Sequence, residues 1–258
     1  MNLGIAGRKA IVCASSRGLG KACARALAEA GCEVVINGRD QQKLEAAAAE
    51  LAIAGVRVIP VVADVATLEG QKALLAACPA PDILVNNNAG PPPRDFRELT
   101  RQQMIDGVVA NMVVAIELIQ KVIGPMTERK FGRIVNITSG SVKMPLAGLD
   151  LSSGARAGLT AFLAGVARTV ADKNVTINNI LPGAFDTDRL KSVLGNAAKQ
   201  KGITVEEAAA ARAATIPAKR FGQPDEFGAA CAFLCSAQAG YITGQNLLID
   251  GGVFNGAF

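Results

Sequence analysis

The chain has 258 residues, a formal net charge of +5, no histidine, no tryptophan and a single tyrosine. Serine–histidine triads, histidine-ligated zinc and histidine general bases are therefore excluded. Half of the residues are hydrophobic and 19% are charged, with 27 glycines and 11 prolines scattered rather than periodic, which is globular rather than disordered or fibrous composition.

In chain order, short β-rich apolar runs alternate with longer helical patterns. Strands are predicted at 9–14, 32–37, 56–62, 82–87, 133–138, 175–181 and 246–249. Helices are predicted at about 19–30, 41–53, 68–77, 101–123, 152–172 and 224–236. In the first helix Ala22, Ala26, Leu27 and Ala30 share one face, while Lys21, Arg25 and Glu29 lie off it. Nearly continuous apolar strands that alternate with helices indicate a parallel sheet covered on both faces. The expectation is a single doubly wound α/β domain over 1–258, with no linker. Residues 186–216 break the rhythm with a polar, alanine-rich helical insertion carrying Arg189, Lys191, Lys199, Lys201 and Arg212. It reads either as a solvated surface helix or as a lid over the strand ends, where such sheets bind ligands.

The six cysteines, Cys13, Cys23, Cys32, Cys78, Cys231 and Cys235, form no CxxC pair, and several sit inside apolar runs. A disulfide framework is not expected in so large a chain, so a reducing, cytoplasmic location is favoured. Cys231 and Cys235 share a helix face, but two thiols without histidine make a poor metal site, and no metal is expected. The stretch MNLGIAGRKAIVCA has no secretory h-region, and no stretch approaches the roughly 18 apolar residues of a membrane span. The cations are spread along the chain and stacking aromatics are few, so neither nucleic acid nor membrane is an expected partner. An anionic cofactor or substrate accounts for the mild basic excess equally well.

The first strand runs into CASSRGLG at 13–20 and then directly into a helix. A tight loop at such a junction aims backbone N–H groups and the helix N-terminus at a pyrophosphate. Gly18 and Gly20 let the backbone approach the phosphate and the helix pack closely.

From this loop onward the chain resembles the short-chain dehydrogenase/reductase family, almost end to end. The series continues with Asp64-Val65, the asparagines after DILV, Asn111, NITS ending in Ser139, LPGAFDT at 181–187, FGQPDEFGAACAFLCS at 221–236 and YITGQNLLIDGG at 241–252. The resemblance implies a Rossmann-type seven-stranded sheet and a nicotinamide cofactor cradled by Ala14, Ser15, Ser16, Arg17, Gly18, Leu19 and Gly20. It further implies Asp64 and Val65 at the adenine, and Pro182, Gly183, Phe185 and Thr187 at the nicotinamide end. Asn87 and Asn88 are alternatives for the strand-four asparagine, because the NNAG match and the count from DILV differ by one residue. Ala14 replaces the family's first glycine and Cys13 its threonine; alanine is tolerable there with negative φ and costly otherwise. An NAD-preferring member would carry a carboxylate at the tip of strand two. Here the tip reads Asn37-Gly38-Arg39, and Arg39 with Arg17 can clamp a 2′-phosphate, so NADP(H) is expected over NAD(H). A register shift of one or two residues would instead make Asp40 the ribose ligand.

The family's usual catalytic set is Asn, Ser, Tyr and Lys, and Asn111 and Ser139 fit the first two. The YxxxK positions read Ser152 and Arg156 in SSGARAGL at 152–159, while the one tyrosine, Tyr241, lies near the C-terminus. A serine hydroxyl is a far weaker acid than tyrosine, and arginine is effectively always protonated, so the pair is a poor proton donor. It remains a good stabiliser of a developing oxyanion, and Arg156 can also hold the nicotinamide ribose. Three readings follow. The protein is a reductase whose proton comes from water through Asn111, or from Lys143, Asp150 or Asp186. Alternatively its acceptor needs little acid help, as an iminium or activated enone would. Or it is a catalytically silent NADP(H)-binding sensor or partner subunit. The substrate is a small molecule or carrier-linked, and resemblance to the acyl-carrier-protein reductases implies a homotetramer. Its contacts would use the 101–123 and 152–172 helices and the C-terminal strand. Three prolines at 91–93 stiffen the loop after strand four.

Overall fold

The structure, a computed structural model, describes residues 2–52 and 55–256. Seven strands form one sheet: β1 (Lys9–Val12), β2 (Glu33–Gly38), β3 (Val58–Val62), β4 (Ile83–Asn86), β5 (Gly132–Ile137), β6 (Val175–Pro182) and β7 (Asn246–Ile249). Their order is β3-β2-β1-β4-β5-β6-β7 and every pairing is parallel. The order reverses between β1 and β4, which opens a crevice at the carboxyl ends of those strands. β1 stops two residues earlier than its apolar run. Cys13 still donates to the Val85 carbonyl at 2.9 Å, but Ala14 turns out of the sheet with a φ of 45°.

Helices cover both faces, as the continuous apolar strands require. One face carries α1 (Gly18–Glu29), α2 (Gln41–Leu51) and α9 (Pro224–Leu234), packed around Leu27, Ile36, Leu44 and Phe227. A Cβ on Gly228 of α9 would lie 2.4 Å from the Ala22 carbonyl of α1, so these two backbones touch only because residue 228 is glycine. The other face carries α3 (Leu68–Ala77), the α4–α5 run and α6 (Asp150–Val170), packed around Leu74, Leu84, Leu118 and Leu163. All six cysteines are free and buried.

Three sequence expectations need correction. The helix predicted at 101–123 is α4 (Arg101–Val108), a π-helical turn (Val109–Val113) and α5 (Val114–Glu128), which carries Pro125 inside it. The run Arg101–Glu128 is long and apolar enough, by length and composition, to cross a bilayer, so the expectation that no stretch approaches that size does not hold. Its apolar side, Val114, Leu118, Ile119, Val122 and Met126, packs in the core beside the sheet. Lastly, the insertion at 186–216 is two helices, α7 (Asp188–Lys201) and α8 (Val205–Ala214), with a small core of their own from Leu194, Ala198 and Ala208. The last residues of the predicted 41–53 helix lie beyond Leu51, with residue 53 outside the described residues.

Candidate active site

The loop between β1 and α1 is fixed from inside. Ser15 is fully buried, donates to the Val12 carbonyl at 2.6 Å and accepts from the Asn37 N–H at 3.1 Å. Asn37 in turn accepts from the Ala14 N–H at 2.6 Å. Ser15 therefore shapes the loop, and its side chain is not free to meet a cofactor. Gly20 is demanded by packing: a Cβ there would lie 2.5 Å from the Ala14 carbonyl and 2.8 Å from Asn87 Nδ2. Gly18 has a φ of 57°, a left-handed conformation that suits glycine. Ala14 occupies the same region without that freedom, so the replacement of the family glycine falls on the costly side. α1 begins without a side-chain cap, which leaves its first N–H groups to an outside acceptor.

At the edge of this loop Arg17 and Arg39 are exposed, and Arg39 pairs with Asp64 at 3.5 Å. The other Asp64 oxygen accepts from the Ala66 N–H at 2.9 Å, and Val65 is buried beside it. Asp40 is not at the tip of β2. It caps α2 by accepting from the Lys43 N–H, and its ion pair with Lys43 holds its carboxyl below the usual range. Asn87 and Asn88, the two candidates for the strand-four asparagine, both follow β4 and line the crevice. Asn87 donates to the Ala14 carbonyl of the loop, and Asn88 donates to the Ala110 carbonyl of the π-turn, each at 3.1 Å.

Of the predicted catalytic residues, Arg156 touches Ser152 and lines one cavity with Asn111. Arg156 is buried on α6 and donates to the Ile137 carbonyl of β5 at 2.8 Å, to the Asn88 carbonyl at 3.3 Å and to Ser152 Oγ at 3.2 Å. Burial, and then the nearby Arg189 charge, push its pKa down to about 10. Ser152, also buried, thus accepts from a guanidinium and keeps its own proton to donate. Ser139 is similar: its oxygen accepts from the Ser141 N–H at 3.1 Å and hydroxyl at 2.9 Å. Asn111 is aimed by the π-turn, a device that shifts one residue off the regular helical face. Its Nδ2 donates to the Gly107 carbonyl at 3.1 Å, and its Oδ1 is buried without a partner. Asn111, Asn88, Cys13 and Arg156 line one cavity of about 20 Å³.

Several residues expected at the cofactor also have roles within the fold. The Phe185 ring is in the core, edge-on to Phe227 at 5.2 Å, and leaves only its backbone for a ligand. Gly183 packs against Asp250, whose Cα a Cβ would approach to 2.7 Å, and its N–H bonds to the Ile249 carbonyl. Its role in the structure is to seat β6 beside β7. Pro182 ends β6, with its carbonyl 3.2 Å from where a Cβ on Gly140 would lie. Thr187 caps α7 and lies beside Gly18, its methyl 3.8 Å from where a Cβ on Gly18 would be. Tyr241 is fully exposed and takes no part in this cluster. Lys143 lies over the Phe254 ring at 5.5 Å, Asp150 accepts from the Gly148 N–H, and Asp186 pairs with Lys191.

Sequence reasoning missed an amide ladder. Asn86, Asn136, Asn179 and Asn246 are register partners across β4 to β7. Each donates to the next, at 2.9, 3.0 and 2.8 Å. The ladder begins at Asn86, which lines the same cavity as Asn111 and also has an unpartnered buried Oδ1. Asparagine in each of four successive strands, twice in β6, was the available signal.

Comparison with known proteins agrees with this geometry. The family model described as Enoyl-(Acyl carrier protein) reductase matches residues 13–254. The chain belongs to the short-chain dehydrogenase/reductase family. Among relatives, the NADPH-dependent reductase BacG of Bacillus subtilis (strain 168) is 31% identical over 251 residues, covering 95% of this chain and 97% of its own. The 3-oxoacyl-[acyl-carrier-protein] reductase FabG of Vibrio harveyi is 30% identical, covering 98% and 99%. Among solved structures, L-sorbose reductase from Gluconobacter frateurii, complexed with NADPH and L-sorbose, matches with a TM-score of 0.93 and 29% identity over 99% of this chain and all of its own.

Proposed function

We propose that the chain is an NADP(H)-dependent oxidoreductase that transfers hydride to a carbonyl or related acceptor without the usual tyrosine acid. The observation that carries this is the buried Arg156, which joins Ser152 of α6 to the Asn88 carbonyl and to the Ile137 carbonyl at the end of β5, two residues before Ser139. The residues present fit the cofactor. The uncapped α1 N-terminus and Ser16 to Gly20 suit a pyrophosphate, Asp64 and Val65 border the adenine position, and Arg17 and Arg39 suit a 2′-phosphate. With Asp40 committed to capping α2, no carboxylate competes at the tip of β2. Asn87, Asn88 and Thr187 frame the nicotinamide end, and Arg156 can reach its ribose.

When bound, the nicotinamide supplies hydride to the acceptor carbon, and the displaced π electrons go to the acceptor oxygen. Ser139 and Ser152 each hold that oxygen with a free hydroxyl proton, and the Arg156 guanidinium behind Ser152 offsets its growing charge. The final proton comes from water, for which the unpartnered Asn111 Oδ1 is a suitable acceptor. An activated enone is a natural acceptor for such a site, because its enolate needs less acid help. The six buried thiols suit a reducing cytoplasm, and 1–258 reads as one domain with a lid at 186–216. A homotetramer is supported by exposed apolar side chains on the expected surfaces: Met104, Ile105 and Val108 on α4, Phe162 on α6 and Leu247 on β7.

NADPH oxidation against ketones, β-ketoacyl thioesters, enones and imines tests this reading. Turnover that Ser139→Ala abolishes supports it, and Ser152→Tyr with Arg156→Lys should raise ordinary ketone reduction. The full exposure of the only tyrosine favours one second reading, a silent NADP(H)-binding sensor or partner subunit. Tight NADPH binding with no turnover across the panel would select it.

A further inference from the structure

Two arginines, the buried Arg156 and the exposed Arg189, lie near Ser152 and Gly90, and neither is paired with a carboxylate among the described residues. Arg156 is buried, and all three of its hydrogen bonds go to neutral oxygens. Arg189, in the first turn of α7, extends across to Gly90. A Cβ at residue 90 would lie 3.4 Å from both terminal nitrogens of Arg189 and 3.4 Å from Ser152 Oγ. The guanidinium and the Ser152 hydroxyl therefore flank one spot, which glycine leaves free of any side chain. Neither arginine takes part in an ion pair among the described residues. The two cations are close enough that Arg189 helps to depress the Arg156 pKa. Like charges brought together beside a crevice cost free energy unless an anion joins them.

We infer that Arg189 is a substrate-recognition residue, and that the acceptor is an oxo acid whose carboxylate sits on the Arg189 guanidinium beside Gly90, leaving the Ser152 hydroxyl to its carbonyl oxygen. This rests on the oxidoreductase reading for the position of the reacting carbon. The same turn divides the work between substrate and cofactor. Thr187 faces Gly18 of the phosphate loop, whereas Arg189, two residues on, faces Gly90 and Ser152. The pyrophosphate has its own donors at the α1 N-terminus, so Arg189 is not needed there. A guanidinium offers the paired donors that match a carboxylate. Because α7 belongs to the lid, binding the acid also holds the lid over the crevice.

The test is binding to the protein–NADP+ complex, where no hydride can be delivered to the acid. Pyruvate, oxamate, acetoacetate and benzoylformate are titrated by calorimetry, each beside its methyl ester. At least one acid should bind about tenfold or more tighter than its ester. Arg189→Ala should erase that preference while leaving the NADP+ Kd unchanged, Arg189→Lys should keep part of it, and Lys201→Ala, which removes a distant lid cation, should keep it all. Equal binding of acids and esters would overturn the inference. So would an Arg189→Ala variant that loses NADP+ rather than the acid, which would place Arg189 on the cofactor phosphates. A protein that binds acids but never oxidises NADPH would defeat the oxidoreductase reading and leave the anion site standing.

Discussion

At the scale of single residues, the active site is a set of substitutions whose consequences depend on backbone geometry. Ala14 is the clearest. The sequence shows alanine in place of glycine, but only the φ of 45° makes that replacement a strain rather than a neutral change. A non-glycine residue pays about 1–2 kcal/mol in this region, partly offset by the extra unfolded-state freedom of glycine. Ala14→Gly should therefore stabilise the protein by about 1 kcal/mol, read as a higher urea midpoint at an unchanged m-value. A lower midpoint would mean that the surrounding hydrogen bonds to Asn37 and Asn87 already relieve the strain. Ser152 and Arg156 make the contrasting case. Their identities were readable, and SSGARAGL fixed their register. The structure adds that the guanidinium donates to the serine oxygen, which leaves the serine its own proton, as the proposed oxyanion site requires.

At the scale of elements, helices and parallel strands were legible because buried strands are continuous apolar runs and their helices are amphipathic. What was not legible depends on pairing. The amide ladder exists only once β4 to β7 are in register, and the π-turn at Asn111 has no compositional mark. The ladder makes a firm expectation. Asn136→Ala leaves Asn86 Nδ2 and Asn179 Oδ1 without their present partners, and at about 1–3 kcal/mol for a buried unsatisfied group the loss should be about 3 kcal/mol. Denaturant unfolding checks it, and a loss below about 1 kcal/mol would show that the amides re-pair. The N-terminus of α9 gives a pH dependence. The Arg220 guanidinium, followed by the Gln223 N–H, holds Glu226 down to about 2 from an ordinary 4.5. A carboxyl depressed on folding contributes stability that is present above 4.5 and lost as pH falls toward 2. Glu226→Gln should thus flatten the acid limb of the stability profile over that window and change little near its top, because the pair is exposed. An unaltered acid limb would show that Glu226 is no better held in the folded state.

At the scale of the whole molecule, the composition acquires a sharper meaning. The absence of histidine costs this fold nothing, since the crevice is built from serine, asparagine and arginine. The scarcity of tyrosine matters, because the one tyrosine stands in solvent and the proposed site offers the reacting oxygen only weak acids and a fixed cation. The protein should then favour acceptors that tolerate a late or remote proton. Transfer of deuterium from C4-deuterated NADPH, followed by mass spectrometry of the acceptor panel after one turnover, examines this most directly. One deuterium on the acceptor carbon, lost in Ser139→Ala, is the expected result; bound NADPH that keeps its label through the whole panel would contradict it.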